Sequence, residues 1–153
     1  WSLDPLRRRC HGGRYDEALL TDAERSLLHQ YTAILHLARE EKALTEGTFF
    51  DLMYVNPTSD FFDPARQYAY LRKADDAVVL VAVNFSDAPR RVRIRIPEAA
   101  FRTMSIPDNA PARLTDLLTG TVAIGTLTHA CAYEVELPPC SGRLLKFDYS
   151  GLS

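Results

Sequence analysis

The chain has 153 residues, 46% of them hydrophobic and 25% charged, with a formal net charge of −2. That size buries a core without metals or disulfides, and the near-neutral charge supplies no long-range field to attract nucleic acid or an anionic membrane. The longest apolar run, 77–83, is far too short for a transmembrane helix. The chain opens Trp1-Ser2-Leu3-Asp4-Pro5 with neither an initiator Met nor a basic-then-apolar leader, as expected of a soluble piece of a longer protein. Any targeting signal would then lie upstream, and the compartment stays open.

The first clear element is a helix beginning at Thr21. Thr21-Asp22-Ala23-Glu24 has capping-box spacing, and Asp22 and Glu24 suit the positive end of the helix dipole. Leu27, Leu28, Tyr31, Ile34, Leu35 and Ala38 then recur at the helical period as one apolar stripe. Arg25, Gln30, Thr32, Arg39 and Lys42 occupy the other side, and Gly47 is expected to end the segment as a left-handed stop. Leaving five large side chains of the stripe in water forgoes about 7–15 kcal/mol, as much as the whole stability of a domain. The helix is therefore expected to dock on something: the rest of this chain, a second copy, or a larger body outside it.

Past Gly47 the pattern becomes strand and turn. Strands are expected at 48–54, 67–72, 77–83, 91–96, 115–118, 131–137 and 144–149, separated by Asn56-Pro57, Asp75-Asp76, Asn84 to Pro89, Thr119-Gly120 and Pro138-Pro139. The 77–83 run is apolar throughout, as in a strand covered on both faces. In 91–96, Val92, Ile94 and Ile96 alternate with Arg91, Arg93 and Arg95. The predicted fold is mainly β: an antiparallel Greek-key β-sandwich preceded by one long amphipathic α-helix.

Residue types with chemical potential have plain structural readings. Asp60, Asp63, Asp75 and Asp76 are carboxylates in turn contexts, without an enclosure to raise a pKa for general acid catalysis. His29 and His36 are spaced seven apart, whereas metal-binding helical pairs prefer four; His129-Ala130-Cys131 offers two ligands where zinc needs three or four. No catalytic, metal or cofactor site is assigned. The stripe Arg90, Arg91, Arg93, Arg95 reads as a solvated strand face paired across the sheet with Glu134 and Glu136. Cys10, Cys131 and Cys140 read as free, partly buried thiols, with a Cys131–Cys140 bridge the alternative in an oxidising compartment. Phe61 and Phe62, in the loop 56–66 near Tyr54, Tyr68 and Tyr70, are the one constellation with a binding character, because flat aromatic faces match the C–H faces of sugars.

The ordered set of motifs resembles the C-terminal region of glycoside hydrolase family 13, the α-amylase family. The carriers are Leu27-Leu28-His-Gln-Tyr31 through Leu37-Ala-Arg39, then Ala43-Leu44 and Gly47; Tyr68-Ala-Tyr70-Leu-Arg72; and Val79-Leu-Val-Ala-Val-Asn84-Phe85-Ser86. They continue with Val92-Arg-Ile-Arg-Ile-Pro97, Asp116-Leu-Leu-Thr-Gly120 and Val135-Glu-Leu-Pro138-Pro139-Cys-Ser141-Gly142. The segment His11-Gly-Gly-Arg-Tyr-Asp16 is similar to the loop before the last barrel helix in bacterial α-amylases. The resemblance implies a loop and last helix of a truncated catalytic barrel in 1–46 and a C-terminal sandwich, domain C, in 47–153. It also implies a parent enzyme acting on α-1,4-glucans, whose catalytic carboxylates lie upstream of this chain. The stripe residues Leu27, Leu28, Tyr31, Ile34, Leu35 and Ala38 would dock on the barrel. Phe61 and Phe62 are the candidate glucan contacts; the structural alternative is that their loop folds over the sandwich edge or against the barrel. The expected function is a non-catalytic accessory domain; the alternatives are a stand-alone starch-binding module and a helix-mediated self-associating protein.

Overall fold

The computed structural model describes residues 2–151; Trp1 and residues 152–153 lie outside the described part. Contacts divide the chain into two units, Trp1–Ala38 and Arg39–Ser153. Among the described residues no helix is long and apolar enough to cross a membrane.

In the first unit a short helix α1 (Asp4–Arg9) and a 3-10 turn (His11–Gly13) lead to the long helix α2 (Asp22–Glu40), which runs two residues past the division. The capping box forms as the sequence predicts. Thr21 N–H donates to Glu24 Oε2 (2.9 Å), and Glu24 N–H donates to Thr21 Oγ1 (3.3 Å). The Thr21 N–H, helped by the Thr21 hydroxyl and the Arg8 guanidinium, holds the Glu24 carboxyl below its ordinary range. Arg25 and His29 both reach Glu17, at 3.7 and 2.9 Å.

The helical segment does not stop at Gly47. It breaks at Glu41, which is extended (φ −79°, ψ 109°), and a one-turn helix α3 (Lys42–Thr45) follows. Tertiary burial sets this break. Ala43 is fully buried against the sandwich, and Glu41 accepts from Lys146 Nζ at 2.8 Å. Arg72 donates from Nε to Ala43 O (3.1 Å) and from Nη2 to Leu44 O (2.9 Å), satisfying carbonyls that the end of α3 leaves free. Gly47 is needed for closeness rather than for a left-handed φ. A Cβ there would sit 2.2 Å from Ala43 O and 2.8 Å from Lys73 O, both backbone atoms. Gly47→Ala is therefore expected to cost at least about 1–3 kcal/mol in urea unfolding, because the backbone must shift to admit the methyl.

Among the described residues the second unit is a β-sandwich of eight strands: β1 (Thr48–Asp51), β2 (Gln67–Ala74), β3 (Ala77–Asn84), β4 (Arg90–Ile94), β5 (Pro111–Asp116), β6 (Val122–Thr126), β7 (Tyr133–Leu137) and β8 (Ser141–Asp148). Six form one antiparallel sheet in the order β1-β2-β3-β8-β5-β6, and β4 pairs with β7 in a second. Alternation assigns the faces. Leu71, Val78, Leu80, Leu145 and Phe147 point from the large sheet into a core shared with Val92, Ile94 and Leu137 of the small one. β3 is central and buried on both faces, as its unbroken apolar run predicts.

Several boundaries move for local reasons. The first predicted strand ends at Asp51, whose Oδ1 accepts from Met53 N–H (3.1 Å) and starts a 3-10 turn (Met53–Val55). The strand predicted at 115–118 is instead β5, ending at Asp116, because the buried Asp116 carboxylate captures the N–H groups of Leu118 and Thr119 (3.0 and 3.3 Å). Arg143 Nη1 neutralises that carboxylate at 2.7 Å. α1 and the 3-10 turn after it have no counterpart in the sequence reading, and neither do two elements of the sandwich. Helix α4 (Glu98–Thr103) buries Ala100 and Phe101, and β6 presents its apolar Val122 and Ile124 outward with Ala123 and Gly125 inward. Gly125 fits there because a Cβ would meet the Phe147 ring at 2.9 Å.

At the end of β8 the Tyr149 hydroxyl is buried without a hydrogen-bond partner among the described residues. Desolvation, aided by the Asp108 charge, pushes its pKa up to about 12. An unfolded tyrosine ionises near 10. Between these values only the unfolded chain releases the proton, so stability present below pH 10 falls as pH rises toward 12. Tyr149→Phe should flatten this alkaline limb in denaturant titrations at pH 10–11.5 while changing stability little at pH 7.

Candidate docking surface

Two apolar surfaces stand open, one on each unit. On α2 no residue is buried, and the apolar stripe stands in solvent: Leu27 is 54%, Tyr31 60%, Ile34 45% and Leu35 67% accessible, Ala38 is exposed, and Leu28 is half-buried. On the sandwich the open surface is the outer face of the six-stranded sheet. Its register aligns Leu144, Val81 and Tyr70 in one row, with Val83 and Tyr68 in the next. Phe49 packs on Tyr70 at 5.3 Å between ring centroids, and Tyr70 on Tyr68 at 5.7 Å. Burial raises the Tyr70 pKa. α3 covers the middle of this face through Ala43 on Val79 and Val81. Phe49, Tyr68, Leu118, Val122 and Ile124 remain exposed around it, the last two on the outward side of β6.

The four carboxylates singled out in the sequence sit in turns. Asp75 is the left-handed residue (φ 50°) of the β2–β3 hairpin, and its partner is Lys42 Nζ at 2.8 Å. That hydrogen bond and charge lower its pKa, the reverse of what a general acid needs. Asp63 caps a turn through Ala65 N–H (3.0 Å), while Asp60 and Asp76 are exposed in turns. His29 is engaged by Glu17 at 2.9 Å, and His129 Nδ1 lies 2.7 Å from Asp108 Oδ2, so each forms a pair with one carboxylate. Among the described residues no group of three or more His, Cys, Asp or Glu is placed to hold a metal ion. All three cysteines are free; Cys131 and Cys140 are exposed rather than partly buried, because both fall in turns at the ends of β7.

The basic stripe is a surface ladder. Arg91 faces Glu136 and Arg93 faces Glu134 in the register of β4 with β7; Arg91 Nη2 lies 2.5 Å from Glu136 Oε1 and Arg93 Nε 3.0 Å from Glu134 Oε2. This is the pairing expected from the alternation, and it leaves little positive field for phosphate.

Phe61 and Phe62 do not act together. Phe62 is 3% exposed and belongs to the core, so it has no face for a sugar. Adjacent residues of the loop point to opposite sides, with Ser59 and Phe62 bridged backbone to backbone. Phe61 is 41% exposed and carries the Arg93 guanidinium 4.0 Å from its ring centroid. Tyr54 packs near Phe50 instead, and Tyr68 and Tyr70 belong to the outer sheet face.

No protein-family model matches the chain, and no curated protein sequence matches it. Solved structures do. AmyP in complex with maltose superposes with a TM-score of 0.59 at 18% identity, over 90% of this chain and 24% of that one. The α-amylase of Geobacillus thermoleovorans, complexed with acarbose, gives 0.57 at 17% identity, over 90% and 26%. The maltogenic α-amylase AmyB from Thermotoga neapolitana gives 0.56 at 13% identity, over 89% and 28%. The chain thus spans about a quarter of the length of these structures, and its helix and antiparallel sandwich have the fold of part of an α-amylase.

Proposed function

We propose that this chain is the non-catalytic C-terminal accessory region of an α-amylase-type glycoside hydrolase, and that it stabilises the catalytic barrel of a parent enzyme acting on α-1,4-glucans. The observation that carries this reading is the asymmetry of the match: nine-tenths of this chain against about a quarter of each amylase. The apolar stripe of α2 and the outer face of the six-stranded sheet are surfaces that such a barrel would cover. The partner is the barrel of the same parent chain.

The reading is tested by incubating the purified chain with starch and with maltooligosaccharides. No turnover is expected. Turnover abolished by substituting Asp or Glu residues of this chain would overturn the non-catalytic assignment.

A further inference from the structure

On the outer side of the small sheet lies a groove of about 890 Å³, within the size range of small-ligand sites. Its lining joins the loop carrying Phe61, Arg93 on the exposed face of β4, Arg95 just past the end of that strand, and the segment from His129 to Ala132. We infer that this groove binds a short glucan chain, with Phe61 as the apolar platform and Arg95 as the hydroxyl-binding donor.

The loop that carries Phe61 is held rigidly. Asn56 is 3% exposed and spans two segments: its Nδ2 donates to Leu52 O (2.8 Å) and Arg95 O (3.0 Å), and its Oδ1 accepts from Arg95 N–H (2.7 Å). Arg93 N–H donates to Phe61 O at 3.1 Å. The backbone at Phe61 is therefore fixed against β4, and the Arg93 guanidinium lies against the ring, before any ligand arrives, which lowers the entropy cost of binding. Arg93 is already committed to Glu134 and to the Phe61 ring. Arg95, two residues on and on the same face, has no side-chain partner among the described residues. His129 adds a ring whose Nδ1 is occupied by Asp108.

A partly exposed aromatic beside an unpaired planar donor matches a sugar ring, which presents apolar C–H faces and equatorial hydroxyls together. A phosphate would use Arg95 but not Phe61, and Glu134 neutralises the neighbouring Arg93. The choice of an α-glucan among oligosaccharides rests on the proposed parent enzyme; the groove itself does not. The groove and the apolar face proposed for docking lie on opposite layers of the sandwich, so both can be occupied at once.

Affinity electrophoresis of the 153-residue chain in amylopectin gels tests this. The chain should be retarded, with affinity about three- to tenfold weaker for Phe61→Ala and for Arg95→Ala, the size of one lost aromatic or charged contact. Arg90→Ala, on the same strand but outside the groove, should migrate like the parent chain. Arg95 is exposed, so its variant keeps the fold even where Phe61→Ala perturbs the loop; melting curves monitor both. Unretarded migration, or retardation that both variants leave intact, overturns the proposal. Retardation by laminarin and not by amylopectin, lost in the same variants, overturns the α-glucan assignment and with it the proposed substrate class of the parent. Chemical shifts at Phe61 and Arg95 that move with inorganic phosphate and not with maltotriose overturn the sugar assignment, while the docking reading is judged by separate measurements.

Discussion

Asn84→Ala should destabilise the sandwich by about 3–5 kcal/mol in equilibrium urea unfolding, a large share of the roughly 5–15 kcal/mol that holds a domain together. Asn84 ends β3 and is fully buried. Its Nδ2 donates to Ala88 O (2.9 Å) and Pro138 O (3.0 Å), and its Oδ1 accepts from Gln67 Nε2 (3.0 Å) and Ser86 N–H (3.1 Å). The amide thus uses its full complement of two donors and two acceptor sites. It ties the β3–β4 turn to the segment between β7 and β8, and through Gln67 Oε1 to Asp63 N–H (2.8 Å). Alanine would leave the buried Gln67 amide and Ser86 N–H, and the carbonyls of Ala88 and Pro138, without these partners, and a cavity among them. Asn84→Asp should be as damaging, because it would turn a carboxylate oxygen toward two carbonyls.

Replacing Leu27, Tyr31, Ile34 and Leu35 together by Gln should have opposite outcomes in two settings. In the 153-residue chain the four side chains are about half exposed or more, so each change should stay near the ±0.5 kcal/mol typical of surfaces. Gln also preserves helix propensity. In a longer gene product that includes an upstream barrel, the same four changes should cost about 3–7 kcal/mol, since roughly half of each side chain's transfer free energy is still to be gained. This is less than full exposure of the stripe would forgo, because the helix itself already shields part of each side chain. Melting temperatures of the two proteins, each with and without the four substitutions, read the difference directly.

What could be read from the residues follows a physical line. The start of α2 was legible because a capping box is a local device, made of residues three apart. The central position of β3 was legible because a strand with no polar face must be covered on both sides. The Arg91–Glu136 and Arg93–Glu134 ladder followed from two strands whose charged residues alternate. Three features were hidden because distant residues decide them. β6 turns its apolar side chains outward and its small ones inward, so its alternation runs against the usual rule, and only the Phe147 ring over Gly125 explains it. α4 is a six-residue helix, too short for periodicity to mark, that exists to bury Ala100 and Phe101. Phe61 and Phe62 are indistinguishable by type, and the backbone bridge at Ser59 and Phe62 decides which one enters the core. The apolar stripe of α2 was visible as a pattern, whereas the outer sheet face was scattered over β1, β2, β3, β6 and β8 and needed the strand order to assemble it.

The account turns on whether the exposed side of α2 is covered in the protein as the gene encodes it. Hydroxyl-radical footprinting at Tyr31 and Leu35 reads that coverage. Strong labelling is expected in the 153-residue chain, and protection in the longer product that carries the upstream residues. Equal labelling of both proteins would contradict the account.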